Sequence, residues 1–338
     1  MLPSLDFEKY DPSGMHIIYN QWPQIAKNAY ESNTKKLIRK DIKHVVFAGM
    51  GGSGSICDLF NSIFSQSKIH VDVVKGYHLP SSTTKNSIVI PISVSGNTVE
   101  TISVLKEAIP VGCKIIAFSS GGKMEKICQK NHIDFHNIDM IHSPRASFVK
   151  YVYSMLKILE SIIPIKRSDV YNSISKLNEL SLQINSDQIS SQNPSLKLAH
   201  WITSIPLIYY PWGLHTAAIR FKNSLQENAK IHVMVEDVIE ACHNNIVAWE
   251  NTSDVKPILI RGIDDYKKTK ERYEILKKYF LQNNISYYEL YSVKGDILSK
   301  IVNLVYLLDY VSIYCAILRQ TDPTIVSSID FVKSQLNL

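Results

Sequence analysis

Short apolar runs alternate with longer, periodically apolar segments along most of the chain. His44–Ala48 is the first such run, a helical stretch follows to about Phe64, and Ile69–Val74 is a second strand. Ile88–Ile92 and Lys114–Phe118 continue the series, with a helix through Ala108 between them. Largely continuous apolar strands alternating with helices indicate parallel strands covered by helices on both faces. Residues 1–35 read as a helical lead-in. From 146 to 192 the strands stop, and Leu and Ile recur at helical spacing among Ser, Asn and Gln. Alternation returns with strand Pro206–Tyr210, helix Leu214–Gln226, strand Pro257–Arg261 and charged helix Asp264–Leu281. Strand Ile285–Tyr291 and a long apolar helix, Asp296–Leu318, close the series. The pattern predicts an α/β chain of two parallel sheets flanked by helices. The first domain is expected over 1–150, a helical connector over 151–194 with Ser186–Pro194 as a polar linker, and the second domain over 195–338.

Composition narrows this picture without redrawing it. With 45% hydrophobic and 20% charged residues in 338, the chain can fill two ordinary cores. No uninterrupted apolar run reaches the ~18 residues that span a bilayer, and MLPSLDFEKYDPSG is unlike a secretory signal. The cytoplasm is therefore expected, with no membrane partner. Cys57, Cys113, Cys128, Cys242 and Cys315 are scattered in apolar surroundings, so reduced thiols are expected rather than disulfides or a zinc site. The net charge of +6 is spread along the chain, which argues against a nucleic-acid partner and suits an anionic small molecule.

In a parallel sheet, ligands gather beyond the carboxyl ends of strands. Two turns there are rich in small and hydroxyl residues: Gly49-Met50-Gly51-Gly52-Ser53-Gly54 and Ser93-Val94-Ser95-Gly96-Asn97-Thr98. Bare amides at a helix N-terminus attract anions, and two such turns on one sheet point to phosphate. The same residues also serve as plain N-caps, with Asn97 and Glu100 spaced as a capping box. No Gly-Lys-Ser/Thr follows at P-loop spacing. A dinucleotide reading rests on a loose glycine register and on Asp72 alone, and it leaves the second turn unused. A phosphosugar fits better.

GMGGSG after one strand and SVSGNTVET after another are similar to the sugar isomerase (SIS) domain. PRASF at 144–148, QENAK at 226–230, HN at 243–244, DYVSIY at 309–314, DPT at 322–324 and Lys333 follow in order. Together they resemble the archaeal-type bifunctional phosphoglucose/phosphomannose isomerase family across almost the whole chain. The resemblance implies two SIS domains and an enzyme interconverting glucose 6-phosphate and fructose 6-phosphate, with mannose 6-phosphate expected from the resemblance alone. It implies no metal and no cofactor.

The resemblance further implies that Gly52, Ser53, Ser93, Ser95 and Thr98 hold the substrate phosphate. Glu227 matches the base that moves a proton between C1 and C2, a task suited to a poorly solvated carboxylate. His243 matches the ring-opening histidine, reached across a subunit interface, so a homodimer is expected. Lys333 matches a lysine that assists ring opening, and Arg145 the cation that stabilises the enediolate. On residue pattern alone, Glu227 and Lys333 read as surface charges and Arg145 as a helix-capping or ion-pairing residue. Two positions depart from the family pattern: Cys57 stands where a glycine is expected, and Cys242 where an asparagine usually precedes the histidine. Neither removes a catalytic group.

Two alternatives belong to other classes. A non-catalytic phosphosugar sensor would keep the two turns but has no need of Glu227, His243, Arg145 and Lys333 together. The isomerase half of an amidotransferase would need a glutaminase with an N-terminal cysteine, and position 2 is Leu2.

Overall fold

The computed structural model describes residues 6–34, 37 and 42–336, which form two compact units. One comprises Gln21–Arg167 with the segment from Ser327, and the other the segment to Asn20 with Ser168–Val326.

The first of these is built on five parallel strands: β1 (His44–Ala48), β2 (His70–Val74), β3 (Ile88–Ser93), β4 (Lys114–Ser119) and β5 (Asp134–Asn137). Their order is β2-β1-β3-β4-β5, so the winding direction reverses between β1 and β3. Alternate residues of β1 point to opposite faces. Val46 packs with Val89, Val104, Leu105, Met124 and Cys128, while Phe47 stacks on Phe60 at 5.3 Å. Both faces are thus buried, which is why the strand shows no polar alternation.

The second sheet has order β7-β6-β8-β9, from β6 (Ile205–Tyr210), β7 (Met234–Asp237), β8 (Val255–Arg261) and β9 (Tyr288–Tyr291), all parallel. Its central helix, Ile297–Leu318, packs against the helices His215–Ala229, Pro194–Trp201 and Met15–Asn20. Among the described residues this one helix is long and apolar enough to cross a membrane, although the sequence interrupts it with Lys300 and Asp309. It is instead a core helix, with 89% of its apolar window buried in the protein. Asp309, fully buried, accepts hydrogen bonds from Arg220 Nη2 at 2.6 Å, Arg220 Nε at 3.0 Å and Ser224 Oγ at 2.7 Å.

Several sequence expectations meet a different arrangement. The lead-in is divided: Tyr306 Oη donates to the Tyr19 carbonyl at 2.8 Å, fastening the segment before Asn20 to the second sheet's unit. The helix Trp22–Glu31 instead packs in the first sheet's unit, where Trp22 stacks on Phe148. The stretch read as a connector is likewise shared, helix Phe148–Ile158 going with the first sheet and helix Arg167–Ile184 largely with the second. Ser186–Pro194 lies inside the second sheet's unit, where Asn193 caps helix Pro194–Trp201 through Leu196 N at 3.0 Å. Two strands, β5 and β7, were not foreseen. Both are four-residue edge strands, DFHN and MVED, whose partial exposure removes the need for apolar side chains.

Candidate active site

The reversal between β1 and β3 leaves a crevice at their carboxyl ends, the place where an open parallel sheet admits a ligand. The two hydroxyl-rich turns leave the sheet there. Val94 N donates to Ser53 Oγ at 3.4 Å, tying one turn to the other.

Neither helix that starts at this crevice is capped by a side chain. The N-cap of Gly51–Phe64 is Met50, which has no oxygen to offer, and that of Val99–Val111 is Thr98, whose hydroxyl turns elsewhere. Thr98 Oγ1 lies 2.8 Å from Ser93 Oγ, and Ser93 is fully buried. The capping box expected of Asn97 and Glu100 is not formed. Asn97 Oδ1 accepts instead from Lys123 N at 3.0 Å and joins the neighbouring loop. The first amides of a helix have no intrahelical acceptor, so two helix ends without caps converge on the crevice with donors and positive dipole ends. That arrangement suits a doubly charged oxyanion such as a phosphate.

Glycine is required at the floor of this site. At Gly96, with φ +69°, a Cβ would stand 1.8 Å from the Gly121 carbonyl oxygen, because two loops cross there. Gly52 runs against the PRASF segment: a Cβ on it would lie 3.5 Å from both Arg145 Cα and the Pro144 carbonyl oxygen. Arg145 is therefore brought to the first turn, and it is buried. Its loop is pinned by Ser147 Oγ donating to the Ser143 carbonyl at 2.9 Å and by Tyr151 Oη donating to the Ile138 carbonyl at 2.7 Å.

The structure thus brings Gly52, Ser53, Ser93, Thr98 and Arg145 together. Ser95 belongs to the same turn but is exposed, and its Oγ accepts from Asn97 N at 3.3 Å. Lys333 is on the exposed helix Ser327–Gln335. Glu227 and His243 are in the second sheet's unit. Glu227, half-buried, sits in the last turn of helix His215–Ala229, two turns beyond Arg220. Lys230 ends that helix in a left-handed conformation, its ammonium donating to the Glu227 carbonyl at 2.8 Å and to the Asp322 carbonyl at 2.9 Å. His243 is exposed, after the short helix Val238–Ala241, with its backbone amide on the Glu240 carbonyl at 2.8 Å.

Sequence reading missed Lys75. This residue follows β2, the neighbour of β1, and its Cε would lie 3.3 Å from a Cβ on Gly54. Its ammonium is 2.6 Å from Asp58, a buried carboxylate on the helix that begins at Gly51. The signal was a lysine at the carboxyl end of a strand, informative only once β2 is known to pair with β1. The cysteines behave as expected: all five are free, and burial pushes the Cys128 thiol up to about 11 and Cys315 up to about 12.

Residues 38–163 match the SIS domain family, and residues 191–336 match the family described as bacterial phospho-glucose isomerase C-terminal SIS domain. A bifunctional phosphoglucose/phosphomannose isomerase of Caldicellulosiruptor bescii is 31% identical over 336 residues, 94% of this chain and 97% of that one. One of the same name from Thermoplasma acidophilum is 27% identical over 295 residues, 87% of this chain and 90% of the relative. A hypothetical protein of Thermus thermophilus shares the fold at a TM-score of 0.72 and 12% identity, covering 96% of this chain and 90% of its own. The paired SIS folds and the match to the C. bescii enzyme along nearly its whole length show that this chain belongs to the bifunctional phosphoglucose/phosphomannose isomerase family.

Proposed function

We propose that the protein is an aldose–ketose isomerase that interconverts glucose 6-phosphate and fructose 6-phosphate, and mannose 6-phosphate and fructose 6-phosphate. The observation that carries this reading is the pair of helix N-termini without side-chain caps at the β1/β3 crevice, with Ser53, Ser93 and Thr98 beside them. Gly52, Ser53, Ser93, Ser95 and Thr98 take the phosphate. The relatives' names supply the substrate class.

Once the phosphate is anchored, the sugar ring opens by proton movement between O1 and O5. His243 performs this near neutral pH, where an imidazole can both give and accept a proton. It acts across the interface of a homodimer, and Lys333 assists. Glu227 then removes the proton from C2 of the aldose and returns it to C1, while the hydroxyl proton passes from O2 to O1, giving the ketose through a cis-enediolate. Arg145 stands by the developing negative charge, where a fixed donor in a dry site lowers the barrier by about 3 kcal/mol. Every step is acid–base chemistry by groups of this chain.

Turnover of fructose 6-phosphate by the purified protein in EDTA, with glucose 6-phosphate and mannose 6-phosphate measured separately, tests the reading. Both products are expected. Glu227→Gln should abolish turnover and leave phosphosugar affinity nearly unchanged. Retained turnover would refute the base assignment, and binding without turnover by the wild-type protein would make it a sensor.

A further inference from the structure

The opposite end of the first sheet carries a second cluster of chemically competent side chains. His44 opens β1 and His70 opens β2, and the parallel register pairs them directly, with Val46 opposite Asp72. Residues two apart on a strand share a face, so His44, His70 and Asp72 are held on one side of the sheet by backbone geometry alone. Asp72 reaches both rings: Oδ2 is 2.9 Å from His44 Nε2, and Oδ1 is 3.5 Å from His70 Nε2. The three candidate ligand atoms lie within 4.8 Å of one another.

We infer that His44 Nε2, His70 Nε2 and the Asp72 carboxylate form a site for a divalent transition metal of zinc type. Two imidazoles and a carboxylate are a ligand set zinc accepts, at about 2.0–2.2 Å per bond, with a fourth position for water. Tetrahedral ligands at that radius stand roughly 3.3 Å apart, a separation small side-chain rotations reach from the present one.

The surroundings supply what a metal-binding histidine needs from its other nitrogen. His44 Nδ1 is 2.9 Å from Ser87 Oγ, which also accepts from Thr84 N at 3.0 Å. A hydroxyl can donate or accept. While Nε2–H donates to Asp72, Ser87 donates to Nδ1. When Nε2 takes a metal, the ring proton sits on Nδ1 and Ser87 accepts it, with no net proton lost from the imidazole. Ser82 Oγ donates to Asp72 Oδ2 at 3.2 Å and orients the carboxylate. His70, with 67% of its side chain exposed on the edge strand, leaves the site open to incoming metal.

The site is separated from the phosphate turns by the five residues of β1, about 16 Å of extended chain. Its role is to clamp the edge strand β2 to β1, not to take part in turnover.

Equilibrium dialysis and calorimetry of the full chain with zinc chloride test this, alongside His70→Ala and Ser87→Ala. His70 is exposed, so its removal spares the core. The wild-type chain should bind one zinc, with a rise in Tm. His70→Ala should bind more than about tenfold more weakly and lose the Tm rise, and Ser87→Ala should weaken binding about tenfold or more through the other ring nitrogen. Absence of saturable binding by the wild type, or equal affinity in His70→Ala, would overturn the proposal. These readouts do not depend on turnover, so they stand apart from the isomerase reading.

Discussion

Replacing Asp309 by alanine should destabilise the second sheet's unit by about 3–5 kcal/mol, because it removes one partner of a buried ion pair. Asp309 and Arg220 are 0% and 2% exposed in their side chains, and the guanidinium donates two bonds to one carboxylate oxygen, at 2.6 and 3.0 Å. Alanine leaves that charge away from water without its carboxylate, and takes from Ser224 its 2.7 Å acceptor as well. Asp309→Asn keeps the shape and one acceptor oxygen but loses the charge assistance, so about 2 kcal/mol is expected. Exchanging both members, Arg220→Met with Asp309→Leu, removes the desolvation penalty together with the attraction and should restore stability to near wild type.

Urea unfolding followed by tryptophan fluorescence reads this directly. Three of the four tryptophans, Trp201, Trp212 and Trp249, are in the unit that holds the pair, so its transition dominates the signal. The order Asp309→Ala, then Asp309→Asn, then the double variant should hold at constant slope. A cost below about 1 kcal/mol for Asp309→Ala, or a double variant as unstable as the single, would refute the reasoning. The restored double variant then asks a functional question. Arg220 lies seven residues before Glu227 on the same helix, so a fall in kcat at unchanged stability would show that the pair positions the proposed base.

Gly96→Ala forces a Cβ into the Gly121 carbonyl, whereas Gly112→Ala meets nothing within 4 Å at a similar φ of +71°. The second should cost only the left-handed backbone term, about 1–2 kcal/mol, and the first clearly more, with loss of phosphosugar binding; equal thermal shifts would contradict the crossing of loops. Burial pushes the Glu289 carboxyl up, but hydrogen bonds from Arg261 at 2.7 Å and Lys277 at 3.2 Å outweigh it and hold the group below its ordinary value. Glu274 is lowered too, chiefly by its bond from Arg261. Since the folded state binds these protons less readily, the stabilisation is present above the unfolded carboxyl range near ~4.3 and is lost as pH falls through the folded values. Melting between neutral and acid pH should show that loss, and Glu289→Gln should flatten it; an unchanged slope would rule the contribution out.

Strands β1, β3, β4, β6 and β8 were legible because each is largely buried on both faces and therefore mostly apolar. β5 and β7 were not, because half or more of DFHN and MVED is polar, whereas the edge strands β2 and β9 were legible from their Val and Tyr residues. The crevice was legible as two turns, since glycines and hydroxyls cluster there for a local reason. What the hydroxyls do was not: Thr98 occupies the cap position, yet its side chain bonds Ser93, and Asn97 bonds the loop after β4. Those partners come from strand order, which no local pattern encodes. The division of the lead-in at Asn20 is hidden for the same reason, its signal being Tyr306 nearly three hundred residues away.

The two sheets have the same kind of switch point but fill it differently, and the difference says where an anion is wanted. After β8, Gly262 N donates to Asp265 Oδ2 at 2.9 Å, and a Cβ on Gly262 would be 2.3 Å from the other carboxylate oxygen. The protein's own carboxylate therefore sits where a ligand oxyanion would, held partly buried at a raised pKa that burial imposes. After β6 the chain enters its helix through a 3-10 turn at Trp212–Leu214, with no run of small residues to bare the amides. At β1 and β3 neither substitution has been made: no side-chain oxygen caps either helix, and glycine keeps the approach open. Asp265 thus takes the amide that follows β8, while the helix starts at the β1/β3 crevice carry no side-chain cap from their N-cap residues.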